Sequence, residues 1–269
     1  MDKKIGFIGC GNMAQAMIAG IVKSKLVEAD KIIASNPSQG KLREVNEKYG
    51  IQITSSNTAV AEFADILVLS VKPDKYVTVI AEIKDFVKDD VLVVTIAAGV
   101  SINTVKEAFG KEVKVIRSMP NTPALVGAAM SALCKDNKVT EEDMSYIVSI
   151  FESFGKAEII DEKLMDVVTA VSGSSPAYVY MFIEALADGA VLGGMKRDAA
   201  YRMAAQAVLG SAKMVLESGK HPGQLKDEVS SPGGTTIEAV YTLEKNNFRG
   251  AVISAMESCT EKSKRMSKK

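Results

Sequence analysis

The chain has 269 residues, 47% of them hydrophobic and 25% charged, and its 33 lysines and arginines balance 33 aspartates and glutamates. That length predicts about two domains of ~150 residues each, and the balanced charge gives no field to attract nucleic acid or an anionic membrane. Three separated cysteines, Cys10, Cys134 and Cys259, form no CxxC pair, which argues against a disulfide framework and a structural metal site. The opening MDKKIGFIGCG reads as strand and turn rather than as a signal peptide. The longest apolar stretch, SPAYVYMFIEALADGAVLGG, carries Glu184 and Asp188 in mid-run, against a membrane span. The expected setting is the cytoplasm, with no metal, nucleic-acid or membrane partner.

Residues 1–163 alternate β-branched runs with amphipathic stretches. KIGFIG (Lys4–Gly9), KIIAS (Lys31–Ser35), ILVLSV (Ile66–Val71), VLVVTIAA (Val91–Ala98) and VKVIRSM (Val113–Met119) are nearly continuous apolar runs, as expected of strands covered on both faces. SALCKD adds a sixth. GKLREVNEKYG and DKYVTVIAEIKDFV read as helices between them, so the pattern is a doubly wound parallel sheet built from βα units. From residue 164 to 269 strand signals stop. PAYVYMFIEALADGAVLGG, RDAAYRMAAQAVLGSAKMVLES, TIEAVYTLEKN and RGAVISAMESCTEKSKRM follow a period near 3.6, and more than one face of them is apolar. An all-helical domain that packs against a second copy is expected, with Met181, Met195, Met203 and Met214 as packing residues and EKSKRMSKK as a solvated end.

GFIGCGNMA places Gly9, Gly11 and Ala14 as GxGxxA between a strand and a helix. Gly9 allows the tight turn, Gly11 lets a pyrophosphate approach the backbone, and Ala14 lets helix and strand pack closely, with the helix N-terminus as anion site. The second strand ends at Ser35 and Asn36, followed by Ser38 and Lys41, with no carboxylate until Glu44. Neutral donors and a cation suit a 2′-phosphate, so NADP is expected, NADPH preferred and NADH also accepted. Val71, Lys72 and Pro73 of SVKPD follow the third strand at its ligand-facing end. Ala97, Ala98 and Gly99 of TIAAGVS leave room for a nicotinamide ring, and Asn121 sits in the rigid loop RSMPNTPALVG. Cys10 is expected to be a small turn residue, His221 a structural one, and Glu184 with Asp188 an interface brace.

GFIGCGNMA, VKP, MPNTP, VSGSSPAY and SSPGGTT, in this order and nearly end to end, resemble the pyrroline-5-carboxylate reductase family. The resemblance implies an α/β fold, an N-terminal Rossmann domain followed by an all-α dimerisation domain, and reduction of 1-pyrroline-5-carboxylate to L-proline by NAD(P)H. It implies a homodimer and a larger ring such as a decamer. It places the pyrophosphate at Asn12 and Met13, the adenosine end at Ser35, Asn36 and Asn57, and the nicotinamide near Lys72, Ala97 and Asn121. The substrate falls to Ser231, Gly233, Gly234, Thr235 and Thr236. Pro37 stands where many relatives carry arginine, which admits NADH beside NADPH.

The substrate offers one carboxylate and one imine. A helix N-terminus with glycines before it is an anion site, so the amides around Gly233, Gly234 and Thr235 are assigned to the carboxylate and the Thr236 hydroxyl to the ring nitrogen. The substrate loop is expected to need a partner subunit. Two other readings are a β-hydroxyacid or deazaflavin-type oxidoreductase and an NAD(P)-sensing regulator. The former wants a lysine that SGSSPAYVYMFIEALADG lacks, and the latter has no use for SSPGGTT.

Overall fold

Short runs of branched apolar residues cannot hide both faces alone, and here they line up as one sheet with helices on each side. The computed structural model describes residues 3–266. Its strands are β1 (Ile5–Ile8), β2 (Ile32–Ser35), β3 (Gln52–Thr54), β4 (Ile66–Leu69), β5 (Leu92–Thr95), β6 (Lys114–Met119), β7 (Ala129–Lys135) and β8 (Gly155–Ile159). They form one sheet in the order β3-β2-β1-β4-β5-β6-β7-β8. From β3 to β6 all neighbours are parallel, and the order in which the chain adds strands reverses between β1 and β4, where a doubly wound fold opens its ligand crevice.

Two features depart from the sequence expectation. β7 runs antiparallel to β6, so the sheet is not wholly parallel. β3 and β8 were not anticipated because QIT and GKAEI are half-exposed edge strands without the apolar run that marks the others.

Helices α1 (Asn12–Lys23), α2 (Gln39–Tyr49) and α6 (Glu141–Glu152) cover one face, where Phe7, Met17, Leu42, Ile66 and Phe151 share a core. Helices α3 (Asn57–Phe63), α4 (Tyr76–Ile83) and α5 (Ile102–Phe109) cover the other, over Leu67, Leu69, Val93 and Val115. Local capping agrees with this placement. The Ser56 and Ser101 hydroxyls accept the first-turn amides of α3 and α5, and Thr140 and Asp143 form a reciprocal capping box on α6. Asp143 is buried, and it also accepts from Lys3 at 2.9 Å and Lys114 at 3.1 Å, tying α6 to the amino ends of β1 and β6.

The chain divides into two compact units, 1–174 with 259–269, and 175–258. This division falls beyond residue 163 because α7 (Met165–Val168) and the π-turn Thr169–Gly173 bury Met165 and Ala170 in the first unit. The end of the chain is helical, with Glu261, Lys262, Lys264, Arg265 and Met266 exposed and Ser263 buried. Residues up to Met266 continue α12 (Phe248–Met266), the Ser263 hydroxyl donates to Asp166 at 2.6 Å, and Cys259 reaches Ser174 at 3.3 Å. Residues 267–269 of that tail lie outside the described residues.

The second unit consists of α8 (Ser175–Leu192), α9 (Arg197–Ser218), α10 (Pro222–Glu228), α11 (Thr235–Lys245) and the first half of α12. α8 and α9 pack as a hairpin around the glycines of GGMK. Among the unit's described residues, the buried apolar side chains are Ala187, Ala200 and Ala204, whereas Leu192 is 92% and Leu216 83% exposed.

Candidate active site

The GFIGCGNMA turn sits at the carboxyl edge of β1, beside β4. Gly9 has φ +95°, and a Cβ there would lie 2.6 Å from the Ser70 carbonyl oxygen, so this position admits glycine alone without rearrangement. The Gly9 amide donates to the Ser35 carbonyl at 2.9 Å and the Cys10 amide to Asn36 Oδ1 at 3.1 Å. The turn is thus pinned to β2 before it enters α1. A Cβ on Gly11 would meet no atom within 4 Å. The N-terminus of α1 has no side-chain cap and no acidic residue in its first turn. Open space, first-turn backbone and unneutralised dipole fit the pyrophosphate expected at Gly11, Asn12 and Met13. Ala14 is buried against the sheet, as the close packing of helix and strand requires.

At the second strand, Ser35 and Asn36 part company. Ser35 is fully buried and donates its hydroxyl to Asn57 Oδ1 at 2.7 Å, while Asn57 donates to Glu82 at 2.9 Å. Ser35 therefore orients Asn57 and the glycine turn rather than facing solvent. Asn36 is half-exposed and Lys41 exposed on α2. The Lys41 ammonium lies near enough to Cys10 to act on its thiol, but burial outweighs it and pushes that thiol up to about 11. Cys10 is a buried spacer, not a nucleophile.

After β4, Ser70 donates its hydroxyl to the carbonyls of Ile8 at 3.0 Å and Gly9 at 2.6 Å, across the point where the strand order reverses. Val71 is half-buried, and Lys72 and Pro73 are exposed at the start of a short 3₁₀ turn. After β5, Ala97 is buried, Ala98 is half-buried and Gly99 takes φ +76°. Ser118 of β6 donates to the Thr95 carbonyl at 2.7 Å. Asn121 is buried with its amide committed on both sides, donating to the Ser172 carbonyl at 3.0 Å and accepting from the Met130 amide at 2.9 Å. It locks the MPNTP loop to the π-turn of VSGSSPAY, an insertion of the kind often kept at functional sites.

In the second unit, SSPGGTT forms the approach to α11. Gly233 has φ +68°, Gly234 caps the helix without a side chain, and the Gly234 amide donates to the Ser231 carbonyl at 3.0 Å. Gly233, Gly234, Thr235, Ile237 and Glu238 line a depression of about 400 Å³. Ser231 is exposed beside it and Thr236 is half-buried, one residue into the helix. His221 accepts the Gly223 amide on Nδ1 at 3.0 Å and caps α10, a structural role. Asp188 pairs with Arg197, bracing α8 to α9, so a cation the sequence reading did not anticipate is present; Glu184 is exposed.

Comparison with known proteins now has a geometry to attach to. Residues 162–266 match the family described as pyrroline-5-carboxylate reductase dimerisation, and residues 4–99 match that described as NADP oxidoreductase coenzyme F420-dependent. The pyrroline-5-carboxylate reductase of Escherichia coli is 53% identical over 100% of both chains. The chain belongs to the pyrroline-5-carboxylate reductase family. Structures of relatives agree along the whole length. A pyrroline-5-carboxylate reductase from Coxiella burnetii superposes with a TM-score of 0.94 at 34% identity over 100% of both chains. Pyrroline carboxylate reductase from Plasmodium falciparum, with NADP bound, does so at 0.90 and 38% identity, over 99% of this chain and 98% of that one. Residues 4–99, which carry the glycine turn, match an oxidoreductase family of another name, so the turn alone does not select this family. The sequence reading missed the strand-end hydroxyls of Ser70 and Ser118, whose partners are main-chain carbonyls that no residue pattern displays.

Proposed function

We propose that the first unit holds NADP(H) along the carboxyl edge of its sheet and that the mouth of α11 holds the substrate. The chain is an NADP-dependent oxidoreductase of this family, reducing 1-pyrroline-5-carboxylate to L-proline, the last step of proline biosynthesis. When bound, the cofactor supplies the hydride. The chain's residues bind and orient. The uncapped α1 N-terminus with Gly11, Asn12 and Met13 takes the pyrophosphate. Asn36 and Asn57 face the adenosine end, held by Ser35, and Lys41 adds the cation that favours NADPH while NADH is accepted. Lys72, Ala97 and Asn121 flank the nicotinamide, with Val71, Pro73, Ala98 and Gly99 shaping the loops.

The observation that carries the substrate assignment is the glycine-built, side-chain-free cap of α11. Its amides suit a carboxylate, and the Thr235 and Thr236 hydroxyls and the Glu238 carboxylate suit a protonated ring nitrogen. An iminium accepts hydride readily, so orientation contributes most of the effect. The only histidine caps its own helix, and protonation from solvent needs no histidine acid.

The exposed side chains of α8, α9, α11 and α12 support a homodimer, and their spread over four helices supports a larger ring such as a decamer. Among the described residues, no helix is long and apolar enough to cross a membrane, and a cytoplasmic site belongs to this reading. The test is Thr236→Ala, assayed by NADPH oxidation with 1-pyrroline-5-carboxylate. Turnover is expected to fall about 100-fold with NADPH binding unchanged. Equal loss of both would remove Thr236 from the substrate.

A further inference from the structure

Tyr76, the largest fully buried side chain of the first unit, is the first residue of α4, in the helix expected to be merely amphipathic. A phenylalanine would bury the same ring. The hydroxyl therefore needs its own account, since a buried polar group costs free energy unless it is bonded. It donates to the carbonyl of Leu69, the last residue of β4, at 2.6 Å. Burial keeps the phenol protonated by pushing it well above its ordinary value. This hydroxyl thus ties the first residue of α4 back to the carboxyl end of β4 and closes the connection between them. On the other side of β4, the Ser70 hydroxyl joins it to Ile8 and Gly9 of the glycine turn.

The segment between these two ties is Val71-Lys72-Pro73. Its flanks are the glycine turn and the Ala97–Gly99 loop. We infer that Tyr76, with Ser70, is a positioning residue for the dinucleotide: the two hydroxyls fix the loop after β4 and, through Ser70, its spacing from the glycine turn, two loops that the cofactor must touch at once. The inference rests on the cofactor reading above. Neither residue supplies a catalytic group. A side chain whose partners are all main chain acts on where the backbone stands, and small misplacements of binding groups are costly.

The experiment compares intact wild type, Tyr76→Phe and Phe109→Leu, the last a buried residue at the far end of α5 chosen as a control for core damage. NADPH affinity is read by quenching of cofactor fluorescence, and kcat and both KM values are read by steady-state assay. Tyr76→Phe is expected to weaken NADPH binding about tenfold and to raise the NADPH KM equally. The kcat at saturating NADPH and the KM for 1-pyrroline-5-carboxylate are expected to stay within about twofold of wild type. Phe109→Leu is expected to lower the Tm with NADPH affinity intact. If Tyr76→Phe binds NADPH as wild type does, or if Phe109→Leu loses affinity to the same degree, the inference is overturned. Should Tyr76→Phe fail to fold, Ser70→Ala is measured in the same way, with the same expected split. Wild type that fails to bind NADPH would sink the cofactor reading itself, an outcome distinct from unchanged affinity in the variant.

Discussion

The two units of this chain solve the burial problem in opposite ways. The first covers both faces of an eight-stranded sheet, and residues such as Phe7, Ile66, Leu67 and Phe151 have essentially no exposure. In the second, three alanines are the buried apolar residues among those described, while Leu192, Leu209 and Leu216 remain 61–92% exposed. Burying a leucine contributes about 2 kcal/mol, and a helical unit that forgoes this at many positions lacks a core of its own. The difference teaches that the first unit is stable by intramolecular packing, whereas the second leaves its large apolar side chains uncovered within one chain.

Substitutions can break or sharpen that contrast. The largest effect is expected from Leu209→Asp with Leu216→Asp on α9. Neither charge meets a buried environment within one chain, yet if the proposed dimer is required for activity, both together should abolish it and reduce activity more than 100-fold by mass action. Light scattering after gel filtration reads the first outcome and the NADPH assay the second; an active dimer carrying both charges would mean that α9 is a solvent face. Next comes Glu162→Ala in the first unit. Glu162 accepts from the buried Arg117 at 3.1 Å and from the Ile102 amide at 2.8 Å, so its loss strands a charge and an N–H. A cost of about 3 kcal/mol is expected, smaller in Glu162→Gln, which keeps an acceptor. Chemical denaturation at two protein concentrations checks it, because damage confined to the first unit should be the same at both.

The smallest effect concerns acid. Burial opposes ionisation of Asp143, but hydrogen bonds from Lys3, Lys114 and Thr140 outweigh it and hold the carboxyl well below the usual range. A depressed folded value means stability that is present above the unfolded value of 3.8 and lost as pH falls through the folded one. Asp143→Asn should therefore cost about 1–2 kcal/mol at neutral pH, and the gap to wild type should narrow below pH 4. Urea curves from pH 7 to 2.5 that stay parallel would refute the assignment.

Much of the first unit was legible along the chain. Lys4–Gly9 and Ile66–Val71 announce strands because central parallel strands are apolar on both faces, and GxGxxA announces a turn because steric demands on Gly9 and Ala14 are local. β3 and β8 were not legible, since an edge strand owes its identity to the neighbour that pairs with it. SSPGGTT was legible as a helix mouth, for a cap is a matter of a few adjacent residues. The side-chain partners of the site residues were not: Ser35 bonds to Asn57, and Asn121 to Met130 and Ser172, pairings that no residue pattern displays.

The amino-acid order alone determined the βα alternation, the glycine turn, the helical second half and the family, because each depends on spacing or on residue type at short range. Tertiary structure alone decided the antiparallel β7, the return of α12 to the first unit and the Ser70 hydroxyl bonded across strand ends. Those depend on which distant segments become neighbours, and hydrogen bonds to main-chain carbonyls leave no trace in the identity of the residue that accepts them.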